Sequence, residues 1–468
     1  MQSNKKIQSL VGVLAVILLS GCSTLGQTVS EHSSFNALSD TQVPAQWQRS
    51  DSEAVVTVWH DIIQSHQLDG LIAEALANSQ DLKATAARWQ AARAQAKIAT
   101  GELLPEVTGS LEGGRSRSSF GEITNQYNLG LDLSWELDIW GRLSDAEQAA
   151  LMTAQQQQQS YYWAKMSLAS QVAIDWLNAI EAKRQFALAE AREKSLKESL
   201  AVIEDGFSTG IREALDVYSA RAELMNGQTE TLEKKQTLNQ ALRQVSLLLG
   251  RYPSLMDDIP DQLPASMPKL ADGLSSSLLE RRPDVQAAYA EVMSQQSEVL
   301  VAGGNRLPRF TLTASVGATS NSLSDVLRGD ELIWNALGGI TAPVFNAGKL
   351  AAEEQRQQYL LEAAIADYRQ TALTAFSEVE QAIDSDRLIA LQLGAASETV
   401  LVSKQAEQQA FESYLAGLEN LNTWLQAQRT AFDRTSRKMQ LEVLYFQNRI
   451  QLHQALGGEF KERSSDGQ

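Results

Sequence analysis

The sequence predicts a mainly α chain made of two tandem repeats, each with two strands and long paired helices. Three observations carry this. No proline falls between Gly141 and Arg251, and none follows Pro343. Short motifs in these two stretches recur at a constant spacing. Ahead of the first stretch, apolar and polar residues alternate strictly.

The chain opens on an export signal, residues 1–21. Lys5 and Lys6 precede an apolar run from Leu10 to Leu19. A membrane-spanning helix needs about 20 apolar residues, so a positive start with this short run predicts secretion rather than anchoring by a helix. Leu19-Ser20-Gly21-Cys22 resembles the lipobox of bacterial lipoproteins, in which cleavage precedes the cysteine and its thiol carries lipid. Cys22 is the only cysteine, which excludes a disulfide framework and a CxxC metal site. No cofactor is expected beyond the covalent lipid on Cys22. Ser23 follows where lipoproteins kept at the inner membrane tend to carry Asp, so the resemblance implies the outer membrane. Residues 22–64 are expected to be a lipidated, extended segment. A single acyl anchor binds membranes weakly, so a second membrane element is expected.

The net charge of −17 argues against a nucleic-acid partner, because neutralising phosphates needs a basic face. After the signal no run of about 18 apolar residues occurs. Such a chain crosses an outer membrane as part of a closed β-barrel or not at all, since only helices and closed barrels satisfy every backbone polar group in lipid.

The repeats follow from spacing. Gly141-Arg142-Leu143 recurs as Gly348-Lys349-Leu350, Phe207 and Gly210 as Tyr414 and Gly417, and Leu249-Gly250 as Leu456-Gly457, all at an offset of 207. Leu104-Pro105 recurs as Leu307-Pro308 and Asp81 as Asp284, at 203. The second copy therefore carries four extra residues between Pro308 and Gly348. The first repeat spans 65–251 and the second 273–458. Between them 252–272, with Pro253, Pro260, Pro264 and Pro268, forms an extended linker. Residues 459–468 make a polar tail. Each repeat begins with a helix, about Ser65 to Thr100 and about Pro283 to Gly303. Two strands and two long helices joined at a glycine turn follow. Proline costs about 3 kcal/mol inside a helix, so the proline-free stretches are free to run long.

The strands supply the second membrane element. Leu129, Leu131, Leu133, Trp135 and Leu137 alternate with Gly130, Asp132, Ser134, Glu136 and Asp138. Period two puts the apolar set on one face. That face suits a soluble sandwich core or a lipid-facing barrel wall, and alternation alone leaves both open. Phe310, Leu312, Ala314 and Val316 repeat the pattern more weakly. Four strands cannot close a membrane barrel, whose smallest forms have about eight, so a barrel would need several chains.

These residues carry a family resemblance. Leu19-Ser20-Gly21-Cys22, Asp138-Ile139-Trp140-Gly141-Arg142, Glu280-Arg281-Arg282-Pro283-Asp284-Val285, Pro343-Val344-Phe345-Asn346-Ala347-Gly348 and Tyr414-Leu415-Ala416-Gly417-Leu418 stand in order along nearly the whole mature chain. The chain resembles the TolC-like outer-membrane factors of tripartite efflux pumps, in the lipoprotein branch serving resistance-nodulation-division transporters. The resemblance implies a homotrimer in outer-membrane lipid. Its membrane β-barrel would have twelve strands and continue as an α-helical periplasmic tunnel. It implies two partners, a periplasmic adaptor and an inner-membrane transporter. It assigns Thr209, Gly210, Ile211, Ala416, Gly417 and Leu418 to adaptor docking at the periplasmic tip. It assigns a gate there to Asp216, with Glu213, Glu419, Thr423 and Gln426. Thr423 and Gln426 stand where many relatives carry aspartates, so the second acidic ring is missing.

No catalytic constellation accompanies these features. His32, His60, His66 and His453 form no HExxH, and no GxSxG occurs. Two other uses of the same architecture are a duct for protein secretion and a lipid-anchored periplasmic coiled-coil scaffold without a pore.

Overall fold

A computed structural model describes residues 63, 65–256, 258–264, 281–328 and 332–458. The export signal, Cys22 and the tail 459–468 lie outside them. The first repeat contributes α1 (His66–Asn78), α2 (Gln80–Glu102), β1 (Glu106–Arg117), β2 (Ile123–Leu137), α3 (Arg142–Ser208) and α4 (Ala214–Leu248). The second contributes α5 (Pro283–Gly304), β3 (Arg309–Ser320), α6 (Leu323–Arg328), β4 (Ile333–Thr341), α7 (Lys349–Leu415) and α8 (Leu421–Ala455). The single opening helix expected from Ser65 to Thr100 is in fact two. Ser79 ends α1 and its side chain accepts from the Leu82 amide at 3.2 Å, starting α2. A serine oxygen that caps the next helix competes with helix continuation.

The long helices match in pairs. Helices α3 and α7 have 67 residues each, about 100 Å at 1.5 Å per residue. Helices α4 and α8 have 35 residues each. Both pairs end alike. At Gly210 (φ 78°) and Gly417 (φ 74°) the chain takes the left-handed conformation that glycine adopts without a Cβ penalty. Ile211 N then donates to Gly206 O at 2.8 Å, and Leu418 N to Ser413 O at 2.9 Å. These bonds close the last helical turn and satisfy its orphan carbonyls.

The helices hold together through three apolar clusters. The largest centres on Trp176, Leu177 and Ile180 of α3 and adds Leu68 of α1, Val245 of α4 and Ile450 of α8. A second joins α5, α7 and α8 through Val285, Val379 and Leu452. The third joins α3, α4, α7 and α8 near the glycine turns through Leu196, Leu224, Tyr414 and Trp424. No described helix is long and apolar enough to cross a membrane.

The strands form one antiparallel sheet in the order β1-β2-β3-β4. The register aligns Val107 with Leu133, Leu111 with Leu129, Leu131 with Val316, and Trp135 with Leu312. It also aligns Val316 with Trp334 and Phe310 with Ile340. One face is therefore apolar across all four strands. The other carries Glu106, Thr108, Asp132, Ser134, Glu136, Thr311 and Ser315. The apolar face is uncovered over much of its area, with Leu131, Trp334 and Ile340 exposed. The extra residues of the second repeat lie between β3 and β4, in the connection that holds α6.

Candidate functional site

The two ends of the long helices hold the groups that bear on function. At the sheet end, each strand pair feeds straight into a long helix. Asp138 was expected on a polar strand position. It instead lies past β2 and caps α3, accepting from Leu143 N and Ser144 N at 2.9 Å each and from Ser144 Oγ at 2.6 Å. Glu136 stays on the polar face but pairs with Arg142 at 2.7 Å. Asp132 remains on that face opposite Thr108 and Ser315. Trp140 Nε1 donates to Pro308 O at 2.7 Å, tying the first repeat to the start of β3.

At the opposite end the two glycine turns lie together. Arg212 leaves the first turn and donates from Nη2 to Leu415 O of the second, at 3.1 Å. Its guanidinium lies over the Tyr414 ring, 4.1 Å from the centroid. Gly206 makes this possible, since a Cβ there would sit 2.7 Å from Arg212 Cγ. Tyr414 is buried, and its hydroxyl donates to Asp216 Oδ2 at 3.2 Å. Burial and the adjacent Asp216 charge push the Tyr414 phenol up to about 12, against the opposing pull of Arg212. Asp216 is therefore held by the other repeat of its own chain.

The remaining expected gate residues are arranged differently. Asn420 caps α8, accepting from Thr423 N at 3.0 Å, and Thr423 Oγ1 lies 3.2 Å from Glu419 Oε2. Glu213 begins α4 without a side-chain cap. Glu213, Glu419, Thr423 and Gln426 are exposed. So are Thr209, Gly210, Ile211, Ala416, Gly417 and Leu418, the residues expected to dock a partner. Sequence reasoning missed their apolar neighbours. Phe207, Leu215, Tyr218 and Leu415 are also exposed, and Ile211 and Leu418 are 73% and 79% accessible. A concentration of uncovered apolar side chains at one end marks an interaction surface.

Below the tip, Glu223 of α4 lies between Arg192 of α3 at 2.7 Å and Arg429 of α8 at 2.8 Å. Arg192 also pairs with Glu230 and packs over Phe432, 4.7 Å from the ring centroid. This charge cluster, with Glu223 buried and the Arg192 side chain nearly so, is a further link between the repeats. Among the described residues, no group of His, Cys, Asp and Glu is placed to hold a metal ion.

An amphipathic sheet feeding duplicated long helices is a distinctive arrangement, and known proteins share it. The outer membrane efflux protein family matches residues 71–251 and 274–458. The chain belongs to that family. It is 30% identical to the pyoverdine export outer membrane protein OpmQ of Pseudomonas aeruginosa, over 94% of this chain and 96% of the relative. It is 30% identical to the toluene efflux pump outer membrane protein TtgF of Pseudomonas putida, over 87% and 86%. The solved structure of CusC, described with its transmembrane channel formation, superposes with a TM-score of 0.80 at 26% identity, covering 89% of this chain and 97% of CusC. Members of the outer membrane efflux protein family with this fold are outer-membrane channel components of efflux systems, and this chain is one of them.

Proposed function

We propose that three copies of this chain close one barrel in the outer membrane and form the duct of a tripartite efflux system. The observation that carries this is the four-stranded sheet. Its apolar face spans all four strands, and β1 and β4 are unpaired at its edges among the described residues. An open sheet edge is not tolerated in hydrocarbon, so edges must meet edges of further copies. The polar face then lines water, with Asp132 and Glu112 toward the lumen. The long helices continue the duct into the periplasm. An inner-membrane transporter and a periplasmic adaptor supply the cargo, a small molecule such as a drug, a toxic compound or a metal ion, and the chain conducts it without catalysis. OpmQ and TtgF carry pyoverdine and toluene in their names, and this supports small-molecule cargo here.

At the tip, the exposed apolar side chains around Gly210 and Gly417 receive the adaptor, and Asp216 with Tyr414 and Arg212 holds the tunnel closed. Cys22 carries the lipid anchor. Mass measurement in mild detergent is expected to give three chains, and planar-bilayer recording is expected to give discrete conductance steps with cation preference. A stable monomer without conductance would favour the scaffold instead. Cys22→Ser is expected to abolish labelled palmitate incorporation while leaving conductance in place.

A further inference from the structure

Every carboxylate of the four strands stands on one face of the sheet. On the polar face stand Glu106, Glu112, Asp132 and Glu136, with Arg309 at the start of β3. On the apolar face the only charged residues of the four strands are Arg115 and Arg117, in a chain whose net charge is −17. Their orientation is fixed on both sides. Ser116 Oγ lies 2.9 Å from Thr124 Oγ1 on the polar face, so its neighbours point the other way. A Cβ on Gly113 would meet the Tyr127 ring at 3.2 Å, which puts the odd-numbered β1 positions with the apolar set. Both arginines are exposed, and neither pairs with a carboxylate among the described residues.

Along that face, moving away from the long helices, the register runs Gly109–Leu131, Leu111–Leu129, Gly113–Tyr127, Arg115–Asn125 and Arg117–Ile123. Apolar residues give way to a tyrosine and then to two cations. That order matches hydrocarbon, interface and headgroup. Past the Gly113–Tyr127 pair, on the side of the long helices, lies a groove of about 510 Å³ between α6 and the sheet. Its walls include Leu111, Leu129, Val316, Val326, Leu327 and Leu332. Leu111 and Arg115 are about 13 Å apart along the strand at about 3.3 Å per residue. An apolar groove and a pair of free guanidiniums at that separation fit the tail and the head of a single lipid. Guanidinium binds phosphate oxygens with paired donors, so the fitting headgroup is phosphorylated.

We infer that Arg115 and Arg117, with the groove beneath α6, form a binding site for a phosphorylated lipid of the outer leaflet. This rests on the sheet being a barrel wall with its hairpin end outward. The site holds an acyl chain against Leu111, Leu129 and Val326, and the headgroup phosphate on the two arginines.

The test uses the full-length protein in mild detergent, with bound lipid counted by native mass measurement. The probes are bisphosphorylated lipid A and the same lipid after dephosphorylation. Wild type is expected to retain the phosphorylated probe selectively. One basic residue at a membrane surface strengthens binding by about fivefold, so R115Q/R117Q is expected to weaken retention by about twenty-fivefold. R115K/R117K is expected to restore most of it, which separates lost charge from a damaged hairpin. Equal retention by R115Q/R117Q, equal retention of the dephosphorylated probe, or no retention by wild type would each overturn the site. Displacement by millimolar inorganic phosphate would overturn the lipid as its occupant. Chain stoichiometry and conductance are recorded on the same samples. Loss of those in wild type is a failure of the barrel, whereas loss of lipid selectivity alone is a failure of the site.

Discussion

The two repeats have matching long helices but secure their ends in opposite ways. At the tip, Arg212 and Asp216 of the first repeat reach across to Leu415 and Tyr414 of the second. Among the described residues, the equivalent side chains of the second repeat, Glu419 and Thr423, bond to each other and to Asn420 and not to the first repeat. Phe207, the counterpart of Tyr414, is half exposed. Near the start of α2 and α5 the roles reverse. Ser79 of the first repeat makes a local cap. Its counterpart Arg282 is buried, donates to Asp284 and Glu378 at 2.7 Å each and to Ala455 O at 3.1 Å, and packs over Trp163 of the first repeat. At these two places each repeat thus reaches the other once, through Arg212 and Asp216 at the tip and through the Arg282–Trp163 contact at the helix start, while its counterpart makes a local cap. Duplication alone gives two equal copies, and the interlock comes from substitutions that made them unequal.

The largest effect is expected where the anchor is most deeply buried. Arg282→Met removes the partner of Asp284 and Glu378 and leaves Ala455 O without its donor. Breaking a buried ion pair by losing one partner costs about 3 kcal/mol. Ser79→Ala removes one cap and costs about 1 kcal/mol. Thermal unfolding followed by helical circular dichroism should show the larger drop in midpoint for Arg282→Met. Equal drops would mean that the two helix starts are held alike.

The tip anchor comes next. Tyr414→Phe removes a hydrogen bond to a carboxylate, worth about 2 kcal/mol to the state that contains it. Asp216→Ala removes the same bond from the other side. If that bond holds the duct closed, each variant raises single-channel conductance, and the double variant adds little to either one. Additive increases would assign the two residues to separate roles. Unchanged conductance in both would make the contact a helix-packing feature and leave closure to the surrounding helices.

The same contact has a pH signature. Tyr414 ionises late, at about 12 against the usual 10.0. A folded pKa raised above the unfolded one adds stability that is complete below about pH 10 and lost as pH rises through about 12. Tyrosine absorbance at 295 nm should therefore show a last titrating step that Tyr414→Phe removes. Conductance should stay flat up to pH 10.

How much of this was legible depended on the range of the interactions. The repeat, the two pairs of long helices and the turns at Gly210 and Gly417 follow from proline absence, constant offset and glycine, all of which act locally. The alternation of Leu129 to Leu137 announced β2 for the same reason. Strand β4 was harder, because Gly338 and Gly339 dilute its pattern. The break at Ser79 has neither proline nor glycine to mark it. The Tyr414–Asp216 contact joins residues 198 positions apart, and no spacing rule reaches that far. Tyr414 was visible as a repeat marker and as part of a family motif, and Asp216 only through resemblance. The outward set of Arg115 and Arg117 needed the register of β1 on β2.

The smallest expected effect tests the local half of the comparison. Asn420 and Glu213 occupy the same cap position of α8 and α4. Asn420 accepts from the Thr423 amide at 3.0 Å, whereas Glu213 makes no cap bond. Asn is among the best cap residues, and replacing it with Ala costs about 1 kcal/mol. Glu213→Ala removes an exposed side chain with no partner in the cap, and such changes stay within about 0.5 kcal/mol. Hydrogen exchange of the first-turn amides should accelerate for α8 in Asn420→Ala and remain at the wild-type rate for α4 in Glu213→Ala. The start of α4 then owes its position to Arg212 and Asp216 on either side, which grip Leu415 and Tyr414. Faster exchange in Glu213→Ala would show that the first repeat also caps itself, and the division between anchored and self-capped turns would fail at the tip.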